Sequence, residues 1–277
     1  MKRLLFLFSF IVMLTATSRS QVLEQGRGWL RLSQQVISSD SYFDSDSKPV
    51  SIRTNSLYMT NLSGEYGISN RLTAFVVLPV FVRSTINKLQ FNQSGNSTSG
   101  SSLNSVGDAE LGVKFGFRKK LPVQVFGFAV LGLPFGKKGN VGTETNIQTG
   151  DGEFNQLIGV QLLQSFSHVH ISAYTAFNNR TKDFSNEIRY GVEAGYTHDK
   201  FNLRIRFSAI ESRFNDIALV SLNGIFSNHR EVFSPGAELV YYLSKKIGVF
   251  ASADFIAAGR NTLDAPIVGL GVQVKNF

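Results

Sequence analysis

Between Phe201 and Ala209 every second residue is apolar: Phe201, Leu203, Ile205, Phe207 and Ala209 alternate with Asn202, Arg204, Arg206 and Ser208. Successive side chains of a strand point to opposite faces, so this segment predicts a strand with one apolar and one charged face. The segment before it repeats the pattern, with Ile188, Tyr190, Val192, Ala194 and Tyr196 set against Glu187, Arg189, Glu193 and Thr197. Joined through His198 and Asp199, with Thr197 opposite Lys200, the two predict a hairpin that pairs Tyr196 with Phe201 and Glu193 with Arg204. The same period sets Ala109, Leu111, Val113, Phe115 and Phe117 against Asp108, Glu110, Lys114 and Arg118. It also sets Ile247, Val249, Ala251, Ala253 and Phe255 against Ser252 and Asp254, and Tyr58, Leu62, Tyr66 and Ile68 against Asn61, Ser63 and Glu65. Such segments are about as long as a tilted membrane-spanning strand, roughly 9 to 11 residues. Residues 72–83, 123–133 and 154–166 are apolar on both faces in places, which a narrow barrel accommodates by filling its lumen.

The connections sort by length. Tight turns are predicted near Ser69-Asn70, Lys119-Lys120, Ser167-His168, His198-Asp199 and residues 244–246. Between them lie longer polar stretches at 40–54, 85–105, 136–152, 178–185, 211–231 and 259–264. A soluble sandwich does not order its loops in this way. The pattern predicts an all-β fold, a transmembrane antiparallel up-and-down β-barrel of about 12 strands, as one domain over residues 21–277. Tight turns and both termini then face the periplasm. Tyr66, Phe117, Tyr196 and Phe201 fall on apolar faces close to tight turns, where a lower aromatic girdle belongs.

The N-terminus adds a compartment. Lys2 and Arg3 precede an apolar run over residues 4–14 and a small-residue stretch with Ser18 and Ser20, which reads as a signal peptide over residues 1–20 cleaved before Gln21. The apolar run is short for a membrane-spanning helix. Export of this kind implies the outer membrane of a Gram-negative bacterium. Loss of Lys2, Arg3 and Arg19 takes the formal charge from +8 to +5. That modest excess is spread along the chain and is no nucleic-acid footprint, so lipid headgroups or anionic solutes are the expected neighbours. The absence of cysteine excludes a lipid-modified cysteine, a disulfide framework and a thiolate metal site.

Motifs for chemistry are missing. There is no Gly-x-Ser-x-Gly elbow, and Gly136-Lys-Lys-Gly-Asn-Val-Gly142 lacks the spacing of a phosphate loop. His168 and His170 share a strand face, but two ligands do not make a metal site, and the expectation is a turn-flanking pair exposed to the periplasm. No enzyme activity, cofactor or metal is expected. What remains is the lumen, to which the alternation assigns Asp108, Glu110, Lys114, Glu187, Arg189, Glu193, Arg204 and Arg206. These charges are either the lining that selects a solute or a salt-bridged network that fills a narrow barrel.

Three stretches carry a family resemblance: Val106-Gly-Asp-Ala-Glu-Leu-Gly-Val-Lys-Phe-Gly116, Leu131-Gly-Leu-Pro-Phe-Gly136 and Thr149-Gly-Asp-Gly-Glu-Phe154. They resemble the outer-membrane family named after the meta-pathway of phenol degradation, itself similar to transporters of the long-chain fatty-acid type. The resemblance implies a barrel of about twelve strands that moves small, aromatic or apolar molecules across the outer membrane, and it supplies no binding residues to transfer. Unlike the fatty-acid transporters, this chain has only residues 21–28 before its first strand, too few for a plug unless the loop at 217–226 folds inward. Phe277 ends the chain as the barrel-assembly machinery prefers, although Leu270, Val272 and Val274 lie on the opposite parity, so a bulge is expected near Lys275-Asn276. Two functions follow: a passive pore or transporter for a small solute, or a closed structural barrel acting as a binding protein or adhesin through its long loops.

Overall fold

Alternating segments leave backbone N–H and C=O groups that lipid cannot satisfy, so strands can cross a membrane only as a closed ring. The chain does so in a computed structural model that describes residues 23–90, 97–117, 123–137, 147–217 and 225–275. Its strands are β1 (Gly28–Phe43), β2 (Pro49–Ser69), β3 (Leu72–Ile86), β4 (Ala109–Gly116), β5 (Gln124–Leu133) and β6 (Asn155–Ser165). They continue as β7 (Val169–Arg180), β8 (Asn186–His198), β9 (Phe201–Arg213), β10 (Glu231–Tyr242), β11 (Ile247–Asp254) and β12 (Ile267–Lys275). Each pairs antiparallel with its sequence neighbours, and β12 closes on β1 from Trp29 opposite Lys275 to Ile37 opposite Ile267. The result is a closed barrel of 12 antiparallel strands.

The faces separate as the alternation predicts. Leu203, Ile205 and Phe207 of β9, Val192 and Tyr196 of β8, and Leu270 and Val272 of β12 are all exposed on the outside. In water so continuous an apolar belt would be an aggregation surface; against lipid it is the solvent-matched face. Tyr66, Phe117, Tyr196 and Phe201 are exposed next to the tight-turn rim, where Phe201 also packs on Tyr241 with ring centroids 5.0 Å apart.

The structure corrects the register of the β8–β9 hairpin. His198 pairs with Phe201, Tyr196 with Leu203 and Glu193 with Arg206, a slide of two residues from the expected Tyr196–Phe201 and Glu193–Arg204 pairs. A slide of two keeps every side chain on its face, so alternation cannot detect it. The turn decides instead: Asp199 takes a left-handed φ of 47°, which Asp tolerates, and the two-residue turn becomes Asp199-Lys200.

Loops are shorter than the polar stretches suggest. β1 and β2 stay paired up to Phe43 opposite Pro49, leaving residues 44–48 as the turn instead of 40–54, with Asp44 Oδ1 accepting from the amides of Asp46 and Lys48 at 2.8 and 2.9 Å. Likewise β3 runs to Ile86 and pairs with Ser101–Ser105, β7 runs to Arg180, and β9 to Arg213. Above the lipid both faces of a strand meet water, so a paired segment there is polar throughout and looks like a loop.

The doubly apolar segment at 72–83 has a local cause. Thr60 pairs with Phe81 and Asn61 with Pro79, so Val80 is an extra residue; Val80 and Phe81 both face outward, and the inward set changes from Thr73 and Phe75 below to Val82, Ser84 and Ile86 above. This is a β-bulge that resets the parity of β3. Phe75 then lies over Gly112 of β4, where any Cβ would collide with its ring. The signal peptide at 1–20, Arg118, the Lys119-Lys120 turn, residues 138–146 and 218–224, and the C-terminal Asn276 and Phe277 with the expected bulge fall outside the described residues; register is unbroken to Lys275.

Candidate functional site in the lumen

The inward faces of β8 to β12 and β1 carry stacked ion pairs. Nearest the tight turns, Arg31 of β1 forks onto Glu238 of β10 at 2.9 and 3.0 Å, donates to Gln273 of β12 at 2.6 Å, and lies 4.0 Å from the centroid of the Phe250 ring. Arg204 of β9 donates to the same Glu238, whose side chain is only 4% exposed. One level up, Arg206 holds Asp254 through two bonds at 2.7 and 2.5 Å. Near the outer mouth, Glu187 is 1% exposed and bonded by Arg180 at 2.9 Å and Arg189 at 2.7 Å, while Arg180 also reaches Asp151 at 3.3 Å.

Of the residues that alternation assigns to the lumen, Glu187, Arg189, Arg204 and Arg206 thus have fixed partners. Glu193 faces His170, with Nε2 3.3 Å from its Oε1, and the imidazole lies against Gly195, where a Cβ would strike it. His170 is therefore turned inward, a correction to the expected periplasmic pair, while His168 alone stays exposed at the rim. Glu110 interacts electrostatically with Arg189. Lys114 is half-buried and makes no ion pair among the described residues.

Asp108 sits at the foot of the outer loops, just before β4. Its carboxylate accepts from the Gly136 and Asp151 amides at 2.7 Å each, drawing together the two ends of the connection between β5 and β6. Burial and repulsion by the Asp151 carboxylate push its pKa from 3.8 up to about 6, against the opposing pull of those amides. The folded form therefore holds its proton more tightly than the unfolded chain. This contributes stability that is fully present below pH 3.8 and is lost as the pH rises through about 6. The urea midpoint of the barrel is expected to fall between pH 4 and pH 7 by an amount that Asp108→Asn removes; identical pH profiles for both proteins would refute it.

Sequence reasoning missed Arg31, Arg180, Glu238 and Asp254 as lumen partners, although each has the inward parity of its strand. Arg230 and Asn228 gave no signal, because they lie in a loop without alternation. Its described residues 225–230 pack inward, while 218–224 lie outside the described residues. Ile225 packs against a buried cluster of Ile37, Leu57, Val82, Leu263 and Ala265 inside the outer half of the barrel. Asn228, buried, anchors it: its Oδ1 accepts from Ser185 N and Oγ at 2.8 and 2.7 Å, and its Nδ2 donates to the Ile217 carbonyl at 2.7 Å. Between this loop and the wall lies a cavity of about 330 Å³, lined by Ile210, Val232, Leu263, Ile267, Asp254 and Arg230 among others. Among the described residues no cluster of three or more side chains suited to a metal is assembled.

The barrel superposes on the COG4313 outer membrane channel from Pseudomonas putida F1 with a TM-score of 0.63, covering 93% of this chain and 99% of that one at 13% identity. This is the outer-membrane barrel fold. The translocator domain of the autotransporter NalP from Neisseria meningitidis follows at TM-score 0.53, 10% identity, 92% of this chain and 90% of that one. The NanC porin gives 0.52 and 10%, over 88% of this chain and 98% of that one. No family model matches the chain, and no curated protein matches it.

Proposed function

We propose that the barrel is a passive outer-membrane pore for small solutes with apolar or aromatic bodies. The observation that carries this reading is the lumen itself: charged walls enclose a largely apolar cavity of about 330 Å³, near the lower end of the roughly 300–1,000 Å³ typical of small-molecule sites. Likeness to a protein named as an outer membrane channel supports it, as do the Asp108 hairpins that resemble the phenol meta-pathway family. On this reading the chain is exported by its 1–20 signal peptide, assembled through a C-terminal strand ending in Phe277, and has no enzymatic role.

The rival reading, a closed structural barrel working through its loops, draws support from the ion pairs that tie β8 to β12 and β1 together and from the inward loop. Purified protein in planar bilayers separates the two. Small discrete conductance steps, together with uptake of a neutral aromatic such as benzyl alcohol into protein-containing vesicles faster than into empty ones, are expected. Silent bilayers and equal uptake would leave the structural barrel.

A further inference from the structure

The cavity beside residues 225–230 is lined by one guanidinium that makes no direct ion pair among the described residues. Arg230 lines it, donates from Nη1 to the Ile225 carbonyl at 2.8 Å, and has no carboxylate within ion-pair distance among the described residues. Its charged neighbours are Glu187 and Asp151 on one side of the balance and Arg189 and Arg180 on the other. Both of those carboxylates are already engaged, Glu187 by Arg180 and Arg189 and Asp151 by Arg180. Arg230 thus shares the field of Glu187 with Arg180 and Arg189, which hold that carboxylate's direct bonds. The other acid of the cavity, Asp254, is held in a two-point pair by Arg206 and adds no free negative charge.

The rest of the lining is chemically uniform. Ile37, Ile210, Ile225, Val232, Leu263 and Ile267 form an apolar shell, with the hydroxyls of Ser208, Ser234 and Thr262 beside it. A guanidinium with spare donors at the edge of an apolar pocket is arranged to take a carboxylate whose body fills the pocket. Glu187 acts on that cation only through space, so its donors toward the cavity are left for an incoming anion.

We infer that this cavity is a binding site for small monocarboxylates with a single-ring or similarly compact apolar body, the acid group meeting Arg230 and the body meeting the Ile225–Leu263 shell. The inference rests on the pore reading and deepens it, because it names the class of solute that pauses in the lumen. A cavity of about 330 Å³ admits one ring with its carboxylate and excludes a long acyl chain in extended form.

The probes are benzoate and its neutral near-isostere benzamide, titrated calorimetrically into the full detergent-solubilised barrel at a pH where benzoate is ionised. Benzoate is expected to bind at least tenfold more tightly than benzamide, and Arg230→Gln is expected to abolish that preference by weakening benzoate about tenfold to a hundredfold. Ile225→Trp, which fills the cavity and keeps the charge, is expected to weaken both probes together. It also keeps the proposal testable where Arg230→Gln does not fold, as judged by heat-modifiable migration. Equal binding of the two probes to the unaltered barrel, an undiminished preference in Arg230→Gln, or benzoate binding indifferent to Ile225→Trp would each overturn the site. Vesicle uptake is read separately: uptake of benzyl alcohol without any benzoate preference refutes the site alone, whereas absence of all flux refutes the pore.

Discussion

Glu238→Ala is expected to destabilise the barrel by about 3–5 kcal/mol, the cost of leaving a buried charge without its partner. One carboxylate, 4% exposed, balances two guanidiniums: Arg31 forks onto it from β1, and Arg204 reaches it from β9. After its removal Arg31 keeps Gln273 and the rings of Phe250 and Trp29, none of which carries a negative charge. Urea titration of folding into lipid vesicles measures the loss. The companion variant, with Glu238, Arg31 and Arg204 all changed to leucine, separates pairing from burial. Exchange of a whole buried ionic group for apolar residues is often close to neutral, so most of the loss should be recovered. If Glu238→Ala unfolds at the unaltered protein's urea midpoint, water has full access to both arginines and the pairs contribute nothing.

On the opposite face of β9, the strand that carries Arg204, Ile205→Arg is expected to cost about 2–4 kcal/mol in the same vesicle assay, because position 205 lies midway along the lipid-facing row. Phe201 and Leu203 stand toward the tight-turn rim and Phe207 toward the mouth, and all are exposed outward together with Ile205. The penalty depends on depth, since an arginine at the centre of the band cannot bring its head to water without deforming the bilayer. Asp40 provides the contrast. It is exposed near the far end of β1, beyond the apolar row of Leu30 and Leu32, and Asp40→Arg should change stability by less than about 0.5 kcal/mol. Equal effects at the two positions would mean that the belt is not the lipid contact.

Alternation made the faces of the barrel legible, and with them the inward placement of Glu187, Glu193, Arg204 and Arg206. It could not give their partners. A period of two is blind to a slide of two residues: alternation allows Glu193 opposite Arg204, and the turn at Asp199 sets it opposite Arg206. Nor does it say which neighbouring strand an arginine leans toward: Arg204 turns from β8 to Glu238 of β10, whereas Glu193 turns back to His170 of β7. The bulge at Val80 hid a parity change inside what looked like a featureless apolar run. Loop residues were the least legible. Asn228 and Arg230 act through tertiary placement alone, and a segment without periodicity has no faces from which placement could be read.

The first hairpin has a mechanical consequence. β2 is 21 residues long, and at about 3.3 Å per residue and a tilt near 45° it spans roughly 50 Å along the barrel axis, about twice the height of an apolar membrane band. Beyond a shift in register at Asp40, the surplus pairs Ser41–Phe43 with Pro49–Ser51 and closes in a five-residue turn at 44–48, so it stands up from the barrel as a hydrogen-bonded paddle. Among the described residues no other strand is as long as β2. In a membrane whose outer leaflet is crowded with sugar chains, such a paddle would reach through that canopy beside the mouth and carry backbone and polar side chains well above the lipid.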